Sequence, residues 1–507
     1  MLNNRLRGSS LLFSKKLTNE NDFYLKSDFI NKMYFYYIQK GYFPIIVADL
    51  LNLFISIFTV GFIIFLYNCV DYDSIFKVEN DSTEKLLNYI NIRNFFDLGW
   101  FLWTLLSFFI FYIFCKVIGI IDVFIIYKKV DNFYKNVLDI DSSLLKSLSW
   151  EKIVIKLGTH YMNDNITVFN VANRITIQDN YMIAMINHNV LDFKVLTSLM
   201  EWNFSYCFFH KLFDDEFKVN KHLFNRRQPF INSIKKRVLA LSIMNFIFMP
   251  FILVLLCFTN LFEYGAKFYN HPSSLTSSDW TRIGKWKIRD YNELYHDFYE
   301  RISHSKVPAR EYFSQFPNKV LDSILGFLIF TLSSGFIFLL FLSLVNDNIL
   351  TNLFIWDRSI LWSLTVLGSL VTFLNSLVSD RVQYYPNTKM EEVQDIIPYI
   401  PDEWVKDAHR TQTKKKFKRL FQYKIITIVN NIVYTLFAPF QLMILYYKTE
   451  DIVDFFIKKS HNHSLLGYIC KYSVFENTLN HDIDRKTFQS YNNFNRVNTV
   501  WRDSILE

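Results

Sequence analysis

Six stretches of this sequence reach or approach the ~20 mostly apolar residues that a helix needs to cross a bilayer. They are Ile45 to Tyr67, Leu98 to Tyr127, Val238 to Phe262, Ser323 to Asn346, Ser359 to Ser379 and Ile425 to Tyr447. Two carry a proline near the middle: "LSIMNFIFMPFILVLL" holds Pro250 and "NIVYTLFAPFQLMILYY" holds Pro439. An interior proline removes a backbone hydrogen bond and kinks a helix at a cost of about 3 kcal/mol. A kink halfway along a run lets both ends return to one face of the membrane. Lipid-embedded helices also tolerate proline, so the flanking charges must decide between crossing and turning back.

Lys and Arg concentrate in cytosolic loops. Residues 1–44 hold seven Lys/Arg against three acids, residues 68–97 three against six, and residues 347–358 one Arg against two Asp. The N-terminus therefore reads as cytosolic and the two acidic loops as lumenal. If all six runs crossed, residues 263–322 would be lumenal, yet they hold nine Lys/Arg, including "RIGKWKIRD". Making runs three and six re-entrant keeps that segment and "TKKKFKRLFQYK" in the cytosol, with Pro250 and Pro439 as helix kinks. The expected order is a cytosolic segment 1–44, two transmembrane helices within 45–127 around lumenal loop 68–97, and a cytosolic helical region 128–237. A re-entrant helix 238–262, a cytosolic region 263–322 and two further transmembrane helices within 323–379 follow. The chain closes with cytosolic residues 380–424, a re-entrant helix 425–447 and a cytosolic helix and tail 448–507. Asn80, in the acceptor triplet Asn80-Asp81-Ser82, is the glycosylation candidate on the lumenal side. The same pattern at Asn165, Asn203 and Asn462 falls in segments read as cytosolic.

Composition agrees with a membrane protein that keeps a large water-exposed part: 51 % of residues are hydrophobic, yet 20 % are charged. The net charge of +8 comes without a basic run interleaved with aromatics, which argues against nucleic acid and for a membrane surface. Five scattered cysteines form no CxxC pair, so no disulfide framework or zinc site is expected. The patterns G-x-x-x-x-G-K-[ST], G-x-S-x-G and H-E-x-x-H are all missing. ATP-driven transport, lipase and zinc-protease chemistry thereby lose their motifs, and the reading is a non-enzyme without cofactor or metal. Asp214-Asp215-Glu216 reads as a solvated loop, and His461 and His463 as part of a polar C-terminal stretch.

The water-exposed segments read as helical. In "NRITIQDNYMIAMINHNVLD", Ile177, Tyr181, Ala184, Met185 and Val190 are spaced as one helical face. Polar residues inside apolar runs are the candidates for function, because a charge in lipid is costly unless it faces water or a partner helix. Asp49, Lys116 and Asp122 belong to this class, with Asn52, Thr372, Asn375, Asn430 and Asn431 as milder cases.

Several long blocks resemble one family. "NYMIAMINHNVLD", "LMEWNFS", "HPSSLTSSDWTRIGKWKIRDYNELYHDFYERI", "YIPDEWVKDAHRTQTKKKFKRLFQYK" and "LFAPFQLMILYY" are similar, in order, to the autophagy-related protein 9 family, over roughly residues 33–475. The resemblance implies an all-α multipass membrane protein with four transmembrane and two re-entrant helices, assembled as a homotrimer. It implies an ATP-independent phospholipid scramblase on Golgi- and endosome-derived vesicles and at the phagophore assembly site. The implied supplier of lipid is a lipid-transfer protein of the autophagy-related protein 2 family. Members often carry long disordered tails, whereas both tails here are modest. Where some members place fixed charges in the lipid cavity, the matching positions are Tyr269, Asn270 and His271, with Lys267 nearby.

A headgroup crosses hydrocarbon cheaply only along a wet groove, because its charges are otherwise desolvated. Lys116, Lys267, Tyr269, Asn270, His271, Thr372 and Asn375 are the expected lining of the lipid pathway. Arg289, Asn292, Glu293 and Arg301 are expected either to gate it or to form a structural polar network. An ion channel or transporter, and a membrane scaffold with "TKKKFKRLFQYK" as its docking stretch, are the alternatives.

Overall fold

The computed structural model describes residues 27–75, 86–161, 166–214, 218–270, 277–316, 319–345, 354–355, 358–378, 384–475 and 484–498. Asn80, Asn165, Asp215, Glu216 and His271 lie outside the described residues.

A helical body gathers the polar segments, and apolar helices leave it and rejoin it. The first excursion consists of α2 (Tyr42–Ile64), prolonged by a wider turn to Cys69, and α3 (Trp100–Asn136). Its base is closed by α1 (Ser27–Ile38): the Tyr36 hydroxyl donates to Asp131 Oδ1 at 2.5 Å, and the Tyr134 hydroxyl to the Met33 carbonyl at 3.1 Å. Its far end is tied by the Asn91 amide to the Cys69 carbonyl at 2.8 Å.

Next come α4 (Trp150–Tyr161), α5 (Val168–Asn187) and α6 (Ser198–Phe204). Thr167 and Thr197 cap α5 and α6, their hydroxyls accepting from the Asn170 and Met200 amides, which satisfies donors left open at a helix start. Ile177, Tyr181, Ala184 and Met185 are buried, as their spacing predicts. Asn173 and Asn180 are buried too, because α5 is enclosed nearly all round. Val190 lies past the helix end.

The second excursion corrects the sequence reading. Helix α7 runs unbroken from Arg227 to Asn270, 44 residues with Pro250 inside it. The expected turn at Pro250 does not form. The proline forfeits one intrahelical bond, but the flanking turns hold. Ser242 Oγ donates to the Pro439 carbonyl at 2.9 Å and Asn245 Nδ2 to Asn203 Oδ1 at 3.3 Å, anchoring the helix on the N-terminal side of the proline. By length and composition α7 joins α2, α3 and α10 as one of four helices able to cross a membrane.

Strand β1 (Ser278–Trp280), α8 (Arg282–Ile288) and α9 (Tyr295–Ser314) return to the body. The third excursion is α10 (Lys319–Val345) and α11 (Ile360–Asn375), packed closely where the Phe336 ring meets the bare backbone of Gly368. The expected fourth span, Ser359 to Ser379, is helical over only 16 residues. That is about 24 Å at 1.5 Å per residue, short of the ~30 Å hydrocarbon core.

After α12 (Pro386–Ile396) and α13 (Thr411–Leu420), β2 (Phe421–Tyr423) pairs antiparallel with β1 in the register Ser278 to Tyr423, Asp279 to Gln422 and Trp280 to Phe421. The fourth excursion is α14 (Lys424–Leu436) and α15 (Ala438–Tyr447), bent by 65° at Phe437. Pro439 falls in the first turn of α15, where its missing N–H costs nothing. Helix α16 (Thr449–Lys458), a hairpin of β3 (Ser460–His463) and β4 (Gly467–Cys470), and α17 (Arg485–Val497) complete the body. The strands are too short for alternation to show in sequence. His463 Nδ1 accepts from the Leu465 and Leu466 amides and so serves the hairpin turn.

Segments on either side of α7 share one core. Arg282 meets Glu201 at 3.1 Å, Trp286 Nε1 donates to Glu201 at 3.1 Å, and the Asn292 amide donates to Asn180 Oδ1 at 2.9 Å.

Candidate functional site

A cavity of about 520 Å³ opens where the apolar helices join the body. Asn260, Tyr264 and Lys267 from the end of α7 form one wall, and Lys424, Thr427, Asn430 and Asn431 from the start of α14 another. Arg282 and Lys285 of α8, Lys306 of α9 and Arg419 of α13 close it toward the body, with Lys194 at its edge.

The β1–β2 ladder creates this convergence. The Thr281 amide donates to the Leu420 carbonyl at 2.8 Å, the Thr281 hydroxyl to the Arg419 carbonyl at 3.1 Å, and the Lys424 amide to the Ser277 carbonyl at 2.9 Å. Thr281 also caps α8, its hydroxyl accepting from the Gly284 amide at 3.0 Å. Gly284 is required there: a Cβ would lie 2.5 Å from the Leu420 carbonyl oxygen.

Seven cations line the cavity, with Asp279 the carboxylate among its described lining residues. Lys306 pairs with Asp279 at 3.3 Å, Lys267 with Glu263 at 2.6 Å, and Arg282 with Glu201. Burial holds the Lys285 ammonium below its ordinary pKa, opposed by the attraction of Asp279. A wet, positively charged recess beside apolar helices can accept an anionic group whose attached chain stays outside.

Of the residues expected to line a lipid pathway, Lys267 lines this cavity. Asn270 is the exposed last residue of α7, and the Tyr269 backbone belongs to the same helix. Lys116 is half-buried midway along α3, its amine 5.9 Å above the Tyr112 ring. Thr372 is exposed on α11 with its hydroxyl returned to the Gly368 carbonyl at 2.8 Å, and Asn375 is exposed at the end of that helix. None of Lys116, Thr372 and Asn375 lines the cavity. Lys194, Arg282, Lys285, Lys306, Arg419 and Lys424 were not among the expected site residues. The signal for Arg282, Lys285, Arg419 and Lys424 lies in "RIGKWKIRD" and "TKKKFKRLFQYK", which orient the chain and, in the second case, offer a docking stretch; Lys194 and Lys306 lie outside both.

Arg289, Asn292, Glu293 and Arg301 form a separate buried network. Arg301 grips both oxygens of Glu293 at 2.7 Å, and Arg289 reaches Asp179 at 2.9 Å from beside the Trp286 and Phe298 rings. Asn292, in the left-handed region at φ 58°, accepts from Asn180 Nδ2 and donates to the Ser473 carbonyl, both at 2.8 Å. Nearby, the Tyr34 oxygen accepts from the Tyr295 and His296 amides, so its proton goes to His296 Nδ1 at 2.9 Å. That leaves His296 Nε2–H facing Asp297 at 3.5 Å. Burial lowers the His296 pKa to about 4, and burial with Glu293 and Glu300 raises Asp297 to about 7.

Apolar helices that leave and rejoin one helical body define a multipass membrane protein. The family model for Autophagy protein ATG9 matches residues 26–476, and the chain belongs to that family. Autophagy-related protein 9 of Dictyostelium discoideum is 28 % identical over 93 % of this chain and 72 % of its own length. The Saccharomyces cerevisiae S288c protein of the same name is 28 % identical over 88 % of this chain, which spans about half (47 %) of that relative. The fold matches the cryo-EM structure of Schizosaccharomyces pombe Atg9 with a TM-score of 0.64 and 26 % identity, covering 89 % of this chain and 98 % of that one. The chain is therefore a multipass membrane protein of autophagy.

Proposed function

We propose that this protein is an ATP-independent phospholipid scramblase of autophagosome-forming membranes, and that headgroups enter through the cavity between α7, α8 and α14. The observation that carries this reading is a polar, cationic recess bounded directly by α7, which is long and apolar enough to cross a membrane, and by the start of the bent α14–α15 pair. Headgroups stay hydrated in such a recess while acyl tails remain in lipid, which removes most of the desolvation barrier. Supporting it, the segments before and after α7 meet in one core, and those before and after the bent α14–α15 pair are tied by Gln489 Nε2 donating to the Pro398 carbonyl at 2.6 Å and by Arg485 with Asp402 at 3.1 Å. The bent α14–α15 pair, whose two ends both return to the body, is the re-entrant element of this reading, whereas α7 runs unbroken through Pro250. The short α11 adds a second place where the bilayer must thin. On this reading the body is cytosolic and the protein works as a homotrimer on Golgi- and endosome-derived vesicles and at the phagophore assembly site. A lipid-transfer protein of the autophagy-related protein 2 family supplies its phospholipid.

The test is reconstitution into liposomes with fluorescent lipid in both leaflets, followed by dithionite quenching without ATP. The wild-type protein exposes inner-leaflet probe, and Asn430→Leu with Asn431→Leu slows that exposure while trimers persist. Failure of the wild type to move lipid overturns the proposal. Ion conductance in planar bilayers without lipid movement would favour a channel.

A further inference from the structure

We infer that the cavity is selective for a phosphomonoester, an inference that rests on the lipid-entry reading of the same site. The charge arrangement argues for this ligand class. Three of the seven lining cations are already matched: Arg282 by Glu201, Lys267 by Glu263 and Lys306 by Asp279. Among the described residues, Lys194, Lys285, Arg419 and Lys424 form no ion pair, so the recess carries positive charge that its own walls do not neutralise.

A zwitterionic headgroup answers that field poorly. Its phosphodiester brings one negative charge, and its tethered amine is repelled by the same lysines. A phosphomonoester brings about −1.5 to −2 charges at neutral pH and three strong acceptor oxygens on one small group. Charge-assisted bonds to such oxygens are roughly twice as strong as neutral ones. The Arg419 guanidinium offers a planar fork, and the lysines offer compact point charges. Lys285 adds a further bias, because its half-buried ammonium recovers on ligand entry the solvation that burial removes.

Selectivity has a consequence for transport. A headgroup held by several charge-assisted bonds leaves slowly, so a phosphomonoester lipid occupies the entry and slows passage of zwitterionic lipids. The phosphate can come from a lipid or from a soluble ester, since the cavity also opens toward water.

Full-length protein in nanodiscs tests this with phosphatidic acid as the lipid probe and glycerol 3-phosphate as its tail-free counterpart. Phosphatidic acid is expected to bind more tightly than phosphatidylserine presented at the same total bilayer charge. Lys285→Gln with Lys424→Gln should weaken binding about tenfold or more, each lysine contributing one charge-assisted contact. The exposed pair Lys194→Gln and Arg419→Gln gives a smaller loss in the same direction, with no core side chain disturbed. Lys415→Gln with Lys416→Gln, an equal charge change on α13 outside the cavity, should leave binding unaltered. Binding of phosphatidic acid alone assigns the site to lipid, and binding of both probes assigns it to the phosphate itself. Equal affinity for phosphatidylserine, or equal loss in the Lys415→Gln and Lys416→Gln pair, overturns the inference. Because binding is read without transport, absence of scrambling in any lipid refutes the functional reading separately.

Discussion

Gly284→Ala strikes the joint that assembles the cavity. The added Cβ would lie 2.5 Å from the Leu420 carbonyl oxygen and 3.0 Å from the Thr281 hydroxyl. Ordinary contact begins near 3.4 Å, so the α13–β2 junction must retreat by about 0.9 Å. Neither neighbour gives way easily: one is the backbone of Leu420 where α13 passes into β2, and the other is the α8 cap. Overpacking of this kind costs about 1–3 kcal/mol. Losing the Thr281-to-Leu420 bond adds about 1 kcal/mol, for a total of about 2–4 kcal/mol. Thermal unfolding in detergent, followed by tryptophan fluorescence, should show the melting temperature lowered by several degrees. Gly265→Ala is the control, because nothing lies within 4 Å of its added methyl. It sits inside α7, where alanine favours the helix by about 0.5–1 kcal/mol. Equal melting temperatures for the two variants would refute the claim that the β1–β2 joint is packed to its limit.

Three further predictions follow from the body and its surface. Asn292→Ala should destabilise by about 2–4 kcal/mol, because it removes one bond each from Asn180 and the Ser473 carbonyl, which keep Thr176 and Asn173 as their other partners, and forces alanine into the left-handed region; Asn292→Gly should be milder by about 1 kcal/mol, and identical losses would show that the φ of 58° is immaterial. Asp297, raised from 3.8 to about 7, stabilises the fold below pH 3.8 and loses that contribution as pH rises through 7, whereas His296, lowered from 6.5 to about 4, contributes above pH 6.5 and loses it on acidification toward 4. Asp297→Asn should therefore melt more steeply than wild type between pH 6.5 and 4, and parallel pH profiles would contradict the opposed titrations. Val429 and Val433 are exposed one turn apart on α14, so Val429→Glu with Val433→Glu should dissociate trimers in native mass measurement if that face joins protomers; intact trimers would exclude it.

The residues differ in how openly they declare their place. Lengths of apolar sequence are explicit, so α2, α3 and α10 are legible directly. Pro250 and Pro439 are the same residue in similar company, yet only the second marks a bend. The difference lies in contacts from distant segments: Ser242 and Asn245 anchor α7 ahead of its proline, while α14 already ends at Leu436. Basic stretches were plain in the sequence, but their meeting in one cavity depends on the pairing of Ser278 with Tyr423. Three-residue strands carry no periodic signal that could announce such a register. Asn180 was hidden for another reason. Amphipathic spacing identifies a helix with one wet side, and α5 has almost none.

Helix α7 spans about 66 Å at 1.5 Å per residue, more than twice the depth of the hydrocarbon core. Its first turns are clamped to α16 by Arg227 with Asp454 and by Lys235 with Glu450, while its last turns supply Asn260, Tyr264 and Lys267. One continuous helix thus joins the α16 clamp to the cavity wall, so a pull on α16 would be transmitted to Asn260, Tyr264 and Lys267 along a single backbone.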